Sequence, residues 1–133
     1  MSREIKFRAW HAGHKHAVPQ MLYDENPGDC LLWKSQGQNI TQVMQYTGLK
    51  DLNGREIYEG DIIESEEIGY TESGHFSGMK KVIGSVVFTS GRFAIHRTSG
   101  ALPDLLMGLS YHKVIGNIYE NPELIGGEAE KAE

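Results

Sequence analysis

Glycine punctuates this chain more closely than any other residue. Gly48, Gly54, Gly60, Gly69, Gly74, Gly78, Gly84, Gly91, Gly100, Gly108 and Gly116 recur at intervals of four to nine residues. A glycine inside a helix costs about 1 kcal/mol relative to alanine. Such spacing therefore suits short strands joined by turns, several of which need a positive φ. With 16 glycines and only 4 prolines, the chain reads as mainly β.

Residue patterns fill in the elements between the glycines. Ile5, Phe7 and Ala9 alternate with Lys6, Arg8 and Trp10, the period of a strand with one buried face. His11 to Pro19 shows no period and reads as a loop, with Gln20 to Tyr23 returning as a partner strand. Asn26-Pro27-Gly28-Asp29 is a turn, and Leu31 to Trp33 and Ile40 to Tyr46 are further strand candidates. The Asn53-Gly54 pair predicts a tight reversal, and Gly60-Asp61 a turn that feeds the short apolar strand Ile62-Ile63. Glu66 to Gly78 is polar and reads as a surface excursion or a flexible hairpin. A clearer hairpin joins Val82–Phe88 to Arg92–His96 through Thr89-Ser90-Gly91. Leu102 to Met107, with Pro103 near its start and Gly108 after it, is the best place for one short helical turn. Lys113 to Tyr119 closes the fold as a last strand.

A chain of 133 residues, 39% hydrophobic and 23% charged, is sized for one folded domain. The expectation is a small barrel-like β domain over residues 1–125, with SH3-like barrel character in the C-terminal part and at most one short helix. The region of Gly48 would divide it into β subdomains 1–47 and 48–125. Residues 126–133, rich in Glu and Ala, have nothing to bury and read as a disordered acidic tail.

Charge and cysteine content narrow the function classes. Cys30 is the only cysteine, so an intrachain disulfide or a cysteine-based zinc knuckle is excluded and a reducing, cytoplasmic setting is expected. The N-terminus interleaves charges with apolar residues, unlike an export signal, and no apolar run approaches the ~20 residues of a membrane span. The net charge of −5 argues against uniform wrapping of nucleic acid. From Glu120 onward, however, five acidic residues stand against one Lys, so the body of the chain is nearly neutral. Within that body residues 51–72 hold eight acidic groups against Arg55, while 73–119 hold five basic groups against Asp104. Opposite patches of this kind suit association between copies.

Each candidate for chemistry has a plainer reading beside it. His11, His14 and His16 place three imidazoles within six residues, enough for one zinc or nickel ion, but Ala, Gly and Lys between them promise no rigid scaffold. Glu59, Asp61 and Glu64 form an acidic cluster that could serve as an acid/base pair or a magnesium site. Asp61 directly after Gly60 is better placed to accept backbone N–H groups across the turn. Ser110, Tyr111 and His112 are strand neighbours whose side chains diverge, so they make no triad. Gly69 and Gly74 have the spacing of a phosphate loop without its Lys-Ser/Thr. Cys30, beside Leu31 and Leu32, reads as a small packing residue. A nucleic-acid surface would need the Lys6, Arg8 and Trp10 face, joined by Lys80, Lys81, Arg92, Arg97 and Lys113, with Trp10, Phe93 or Tyr111 as stacking rings. A solvated outer face explains the same pattern.

Three segments taken together resemble the YopX-type family of bacteriophage and prophage proteins. They are Arg3-Glu4-Ile5-Lys6-Phe7-Arg8-Ala9-Trp10, the run from Met44 through Thr47-Gly48-Leu49-Lys50-Asp51-Leu52-Asn53-Gly54 to Tyr58-Glu59-Gly60-Asp61-Ile62-Ile63, and Val114-Ile115-Gly116-Asn117-Ile118-Tyr119-Glu120-Asn121-Pro122-Glu123-Leu124. The resemblance implies a phage or prophage origin in a bacterial host, a mainly β barrel-like fold that tends to self-associate, and no established activity. It departs from the family at His11, where an acidic residue is usual, and in the Glu66–Gly78 excursion. The expected protein is a non-enzymatic interaction or self-assembly module without catalytic, cofactor or metal residues. Its partners would be copies of itself or a phage or host protein. The alternative is a nucleic-acid-binding regulator.

Overall fold

A computed structural model describes residues 4–97, 104–105 and 112–126. Its strands are β1 (Phe7–His11), β2 (Gln20–Tyr23), β3 (Ile40–Lys50), β4 (Glu56–Tyr58), β5 (Asp61–Tyr70), β6 (Phe76–Thr89), β7 (Arg92–Arg97), β8 (Asp104–Leu105) and β9 (His112–Asn117). One α-helix, α1 (Asp29–Ser35), and a 3-10 helix over Pro122–Ile125 complete the described elements. The architecture is mainly β, with a curled sheet of half-barrel form. Among the described residues no helix is long and apolar enough to cross a membrane. The chain divides into two compact units, Met1–Gly48 and Leu49–Glu133.

In the first unit β1 lies between β2 and β3 and pairs antiparallel with both. Its inward residues follow the alternation of the sequence: Ala9 is fully buried, and with Cys30 and Ile40 it forms a core against which Phe7, Trp33 and Val43 pack. The opposite face was expected to meet solvent, yet Arg8 is only 3% exposed. Leu31 to Trp33, expected as a strand, instead lie in α1. The helix sets Cys30 and Trp33 at a spacing of three toward the core and leaves Leu31 and Leu32 half exposed. Gly28, at φ 85, begins the helix without a side-chain cap of its own. The Asp24 carboxylate takes over that role, accepting the N–H groups of Gly28 at 3.1 Å and Cys30 at 2.7 Å.

In the second unit the strand order is β8-β7-β6-β5-β9, every pairing antiparallel. Ile57, Ile63, Val86, Ile95 and Val114 form its buried core, with Leu49 and Phe93 packed against it. The β6–β7 hairpin closes through Ser90 at φ 54 and Gly91 at φ 78, the two positive values that a two-residue type I′ loop requires. The turn over Gly60 is tied on both sides, its N–H to the Val86 carbonyl and its carbonyl to the Ile118 N–H, each at 2.9 Å. Of the helical turn expected over 102–107, Asp104 and Leu105 are instead strand β8, paired with Ile95 and Ala94. The remainder lies outside the described residues, as does the tail from residue 127. The polar stretch Glu66–Gly78 forms the ends of β5 and β6 and the turn between them, so the hairpin reading holds.

Gly84 shows why one of the regularly spaced glycines must lack a side chain. A Cβ there would lie 2.6 Å from Ile95 Cγ2 and 2.7 Å from the His96 carbonyl oxygen, inside the β6–β7 pairing. Gly84→Ala is expected to destabilise the fold by about 2 kcal/mol through overpacking. A lowered urea midpoint at unchanged slope would show it, and an unchanged midpoint would refute it.

Candidate functional site

Carboxylates organise loops in both units, Asp51 and Asp61 buried and Asp24 half-buried. Asp51 is completely buried, and its Oδ1 accepts the N–H groups of Asn53 and Arg55 at 2.8 Å each. Its Oδ2 accepts the N–H of Val114 in β9 at 2.9 Å. Burial pushes this carboxyl up, but the N–H groups of Val114, Arg55 and Asn53 and the Arg55 charge outweigh it and hold it below its ordinary value. Around it the Asp51 N–H donates to the Arg55 carbonyl, Leu52 N–H to the His112 carbonyl, and the Arg55 guanidinium to the Val114 carbonyl at 3.3 Å. In the first unit Asp24 does similar work, accepting Phe7 N–H at 3.0 Å besides the helix N–H groups. Burial pushes its carboxyl up, but the N–H and thiol of Cys30 and the N–H groups of Gly28 and Phe7 outweigh it and hold it below its ordinary value.

The residues that the sequence offered for chemistry are occupied in similar ways. Asp61 is 3% exposed and accepts Tyr58 N–H at 2.8 Å, the turn role its position suggested. Glu59 and Glu64 are half-buried, and Glu64 lies 3.8 Å from the Lys81 ammonium. The histidine loop is more rigid than its composition suggested. His14 and Ala17 exchange backbone hydrogen bonds, and the Asn39 side chain and carbonyl hold Gly13 and Ala12. His11 Nδ1 accepts Gly13 N–H at 3.0 Å, and His14 Nδ1 accepts His16 N–H at 3.1 Å. Among the described residues no group of three or more His, Cys, Asp or Glu is arranged to hold a metal ion.

Burial first, then the hydrogen bond and charge of Asp24 and the charge of Asp29, push the Cys30 thiol up to about 12. It is a packed, protonated group. Arg8 is buried, and Lys6 is engaged by Glu4 at 3.5 Å and by the Tyr46 ring at 5.1 Å, so the basic face expected on β1 is not an open one. Ser110 and Tyr111 lie outside the described residues, whereas His112 is 4% exposed with Nδ1 2.7 Å from Ser65 Oγ. Ser65 and His112 are register partners on β5 and β9, which makes the contact a cross-strand tie.

Among the described residues the ends of β5 and β6 form a two-stranded ribbon. Among the described residues β9 pairs with β5 over Asp61–Ser65, and β7 with β6 over Gly84–Thr89. Beyond these stretches, among the described residues, β5 and β6 pair only with each other, from Glu66 opposite Lys81 to Tyr70 opposite Phe76. The tip is closed by Thr71, which accepts His75 N–H at its hydroxyl and donates its own N–H to the His75 carbonyl. Near the tip Gly69 faces Gly78 while Tyr70 faces Phe76, leaving Ser77 as the extra residue of a bulge beside Gly78 at φ 107. Positions 68 and 70 share a face of β5, so their partners Met79 and Phe76 share a face of β6 despite their odd spacing. Tyr70, Phe76 and Met79 are 63%, 67% and 56% exposed, and the bulge gathers them on one side. The sequence signal was Tyr70, Phe76 and Met79 standing among glycines in an otherwise polar stretch.

A mainly β scaffold whose turns are tied by carboxylates is the class of protein these features define. The family model described as YopX protein matches residues 6–126, and the chain belongs to that family. Among solved structures it is similar to protein EF1440 from Enterococcus faecalis, at 25% identity and a TM-score of 0.52, over 93% of this chain and 99% of that one. A search of curated proteins finds no significant match.

Asp51 makes the acid stability of the fold testable. Its folded value is depressed, so its contribution is present above the unfolded value near ~3.9 and is lost as pH falls through the folded value. Asp51→Asn keeps the shape but cannot accept from Val114 with its amide nitrogen, and should cost about 3 kcal/mol at neutral pH. The stability gap to wild type should narrow below about pH 4. Urea titrations at several pH values measure both, and a pH-independent gap would exclude the charged role of Asp51.

Proposed function

We propose that this chain is a non-enzymatic interaction module of phage or prophage origin that works by association with copies of itself. The observation that carries this reading is the solvent-facing apolar side of the β5–β6 ribbon, where Tyr70, Phe76 and Met79 are each more than half exposed. Exposed apolar side chains gathered on one side of a sheet are characteristic of interaction surfaces. Membership of the YopX family is consistent with it. The acidic residues best placed by sequence for chemistry are engaged with the scaffold instead: Asp61 with the Tyr58 N–H and Glu64 with Lys81.

Light scattering on the purified chain tests the proposal. Wild type should exceed the monomer mass, and the double substitution Phe76→Ser with Met79→Ser should lower it while the far-UV spectrum is kept. A wild type that is monomeric at every concentration sinks the reading. If the chain instead retards single-stranded DNA at low salt, and Lys81→Ala, Arg92→Ala and Lys113→Ala abolish this, the nucleic-acid regulator takes its place.

A further inference from the structure

Asn53 is followed directly by a glycine and lies in the loop that Asp51 closes. Both Asn53 and Gly54 are exposed, and the space around Gly54 is open. An asparagine before a glycine is subject to attack by its own backbone. The nitrogen of the next residue gives its proton to water and bonds to the asparagine Cγ, and ammonia leaves. Water then opens the resulting succinimide at either of its carbonyls, leaving aspartate or isoaspartate. A side chain on the next residue obstructs the attack, and glycine has none.

The folded loop denies that approach. Gly54 N–H donates to the Asp51 carbonyl at 3.0 Å, closing a turn over residues 51–54. The attacking nitrogen is thereby held toward Asp51, with its proton engaged. On either side, Asn53 N–H and Arg55 N–H each donate to Asp51 Oδ1 at 2.8 Å, so the neighbouring peptide groups are fixed as well. The carboxylate that holds them is itself anchored, since its Oδ2 accepts Val114 N–H from β9 at 2.9 Å.

We propose that Asn53 is a spontaneous modification site that the Asp51 carboxylate keeps closed, so that conversion to isoaspartate marks chains whose Asp51–Arg55 loop has opened. The mark is one-way. Isoaspartate routes the backbone through the former side chain, lengthening the turn by a carbon and taking Gly54 N–H out of register with the Asp51 carbonyl. It also sets a second carboxylate beside the buried one, where like charge opposes reclosure.

Mass spectrometry of tryptic digests follows the reaction, because cleavage after Lys50 and Arg55 isolates residues 51–55 and fragmentation places the change at position 53. In warm, mildly alkaline buffer the guanidinium-unfolded chain should convert quickly and the folded chain slowly. Asp51→Asn should speed conversion of the folded chain by about tenfold or more, the rise in open loops when a charge-assisted hydrogen bond is lost. Gly84→Ala, which strains the β6–β7 pairing instead, should speed it far less. Amide exchange of wild type needs no variant, and Gly54 should be protected to the same degree as Asn53 and Arg55. Equal conversion of folded and unfolded wild type, free exchange at Gly54, or no acceleration by Asp51→Asn overturns the proposal. Equal acceleration by both variants also overturns it, because the gate would then be unfolding of the whole chain. Converted chains separated by ion exchange should unfold at a lower denaturant midpoint than unconverted ones, and an unchanged midpoint would refute the one-way character.

Discussion

The second unit depends on a carboxylate that has been taken completely out of water. An ionised aspartate in that position is tolerable only when its oxygens are saturated by donors. For Asp51 those donors are backbone N–H groups from its own loop and from β9. One side chain thereby closes the Asp51–Arg55 loop and fixes the place of a strand more than fifty residues further along. Val114 joins two kinds of order, since its N–H meets Asp51 while its side chain packs with Ile57, Ile63, Val86 and Ile95. A slip of β9 by one residue would remove the donor from the carboxylate and turn Val114 away from the core at once.

The same solution recurs where the chain must turn. Asp24 closes the entry to α1 and reaches back to β1, Asp61 ties the turn before β5, and Asn117 accepts the N–H groups of Tyr119 and Glu120 at 2.9 Å each after β9. A small protein with limited apolar volume can fix its loops by pairing short polar side chains with backbone donors instead of burying the loops in a core. Much of the polar chemistry that looked available in the sequence is engaged in this way. The ribbon contrasts with this, because there Tyr70, Phe76 and Met79 are apolar and exposed.

Sequence made the β class, the β6–β7 hairpin and the turn before β5 legible, since each depends on local residues. Ser90 and Gly91 supply positive φ values where the strand pattern breaks, and Gly60-Asp61 carries its own acceptor. Helix α1 escaped because its cap comes from Asp24, outside the segment, and because Cys30-Leu31-Leu32-Trp33 is too short for periodicity to separate helix from strand. The burial of Arg8 was hidden for a related reason: alternation identifies one covered face and is silent about the other. Asp51 could be read as a turn residue, but its bond to Val114 joins positions 63 residues apart and leaves no local trace. The apolar side of the ribbon needed the register, because only the bulge brings Phe76 and Met79 together.

Cys30 has a practical corollary. Its thiol is fully buried, 3.6 Å from the Phe7 carbonyl oxygen and 3.8 Å from that of Leu22, and pushed up to about 12. At neutral pH almost none of it is thiolate, the form that attacks alkylating reagents. Cys30 is therefore expected to resist maleimides, and a cysteine introduced at an exposed ribbon position should be the site that takes a fluorophore or spin label. Such a label can be placed without first removing a native residue from the core.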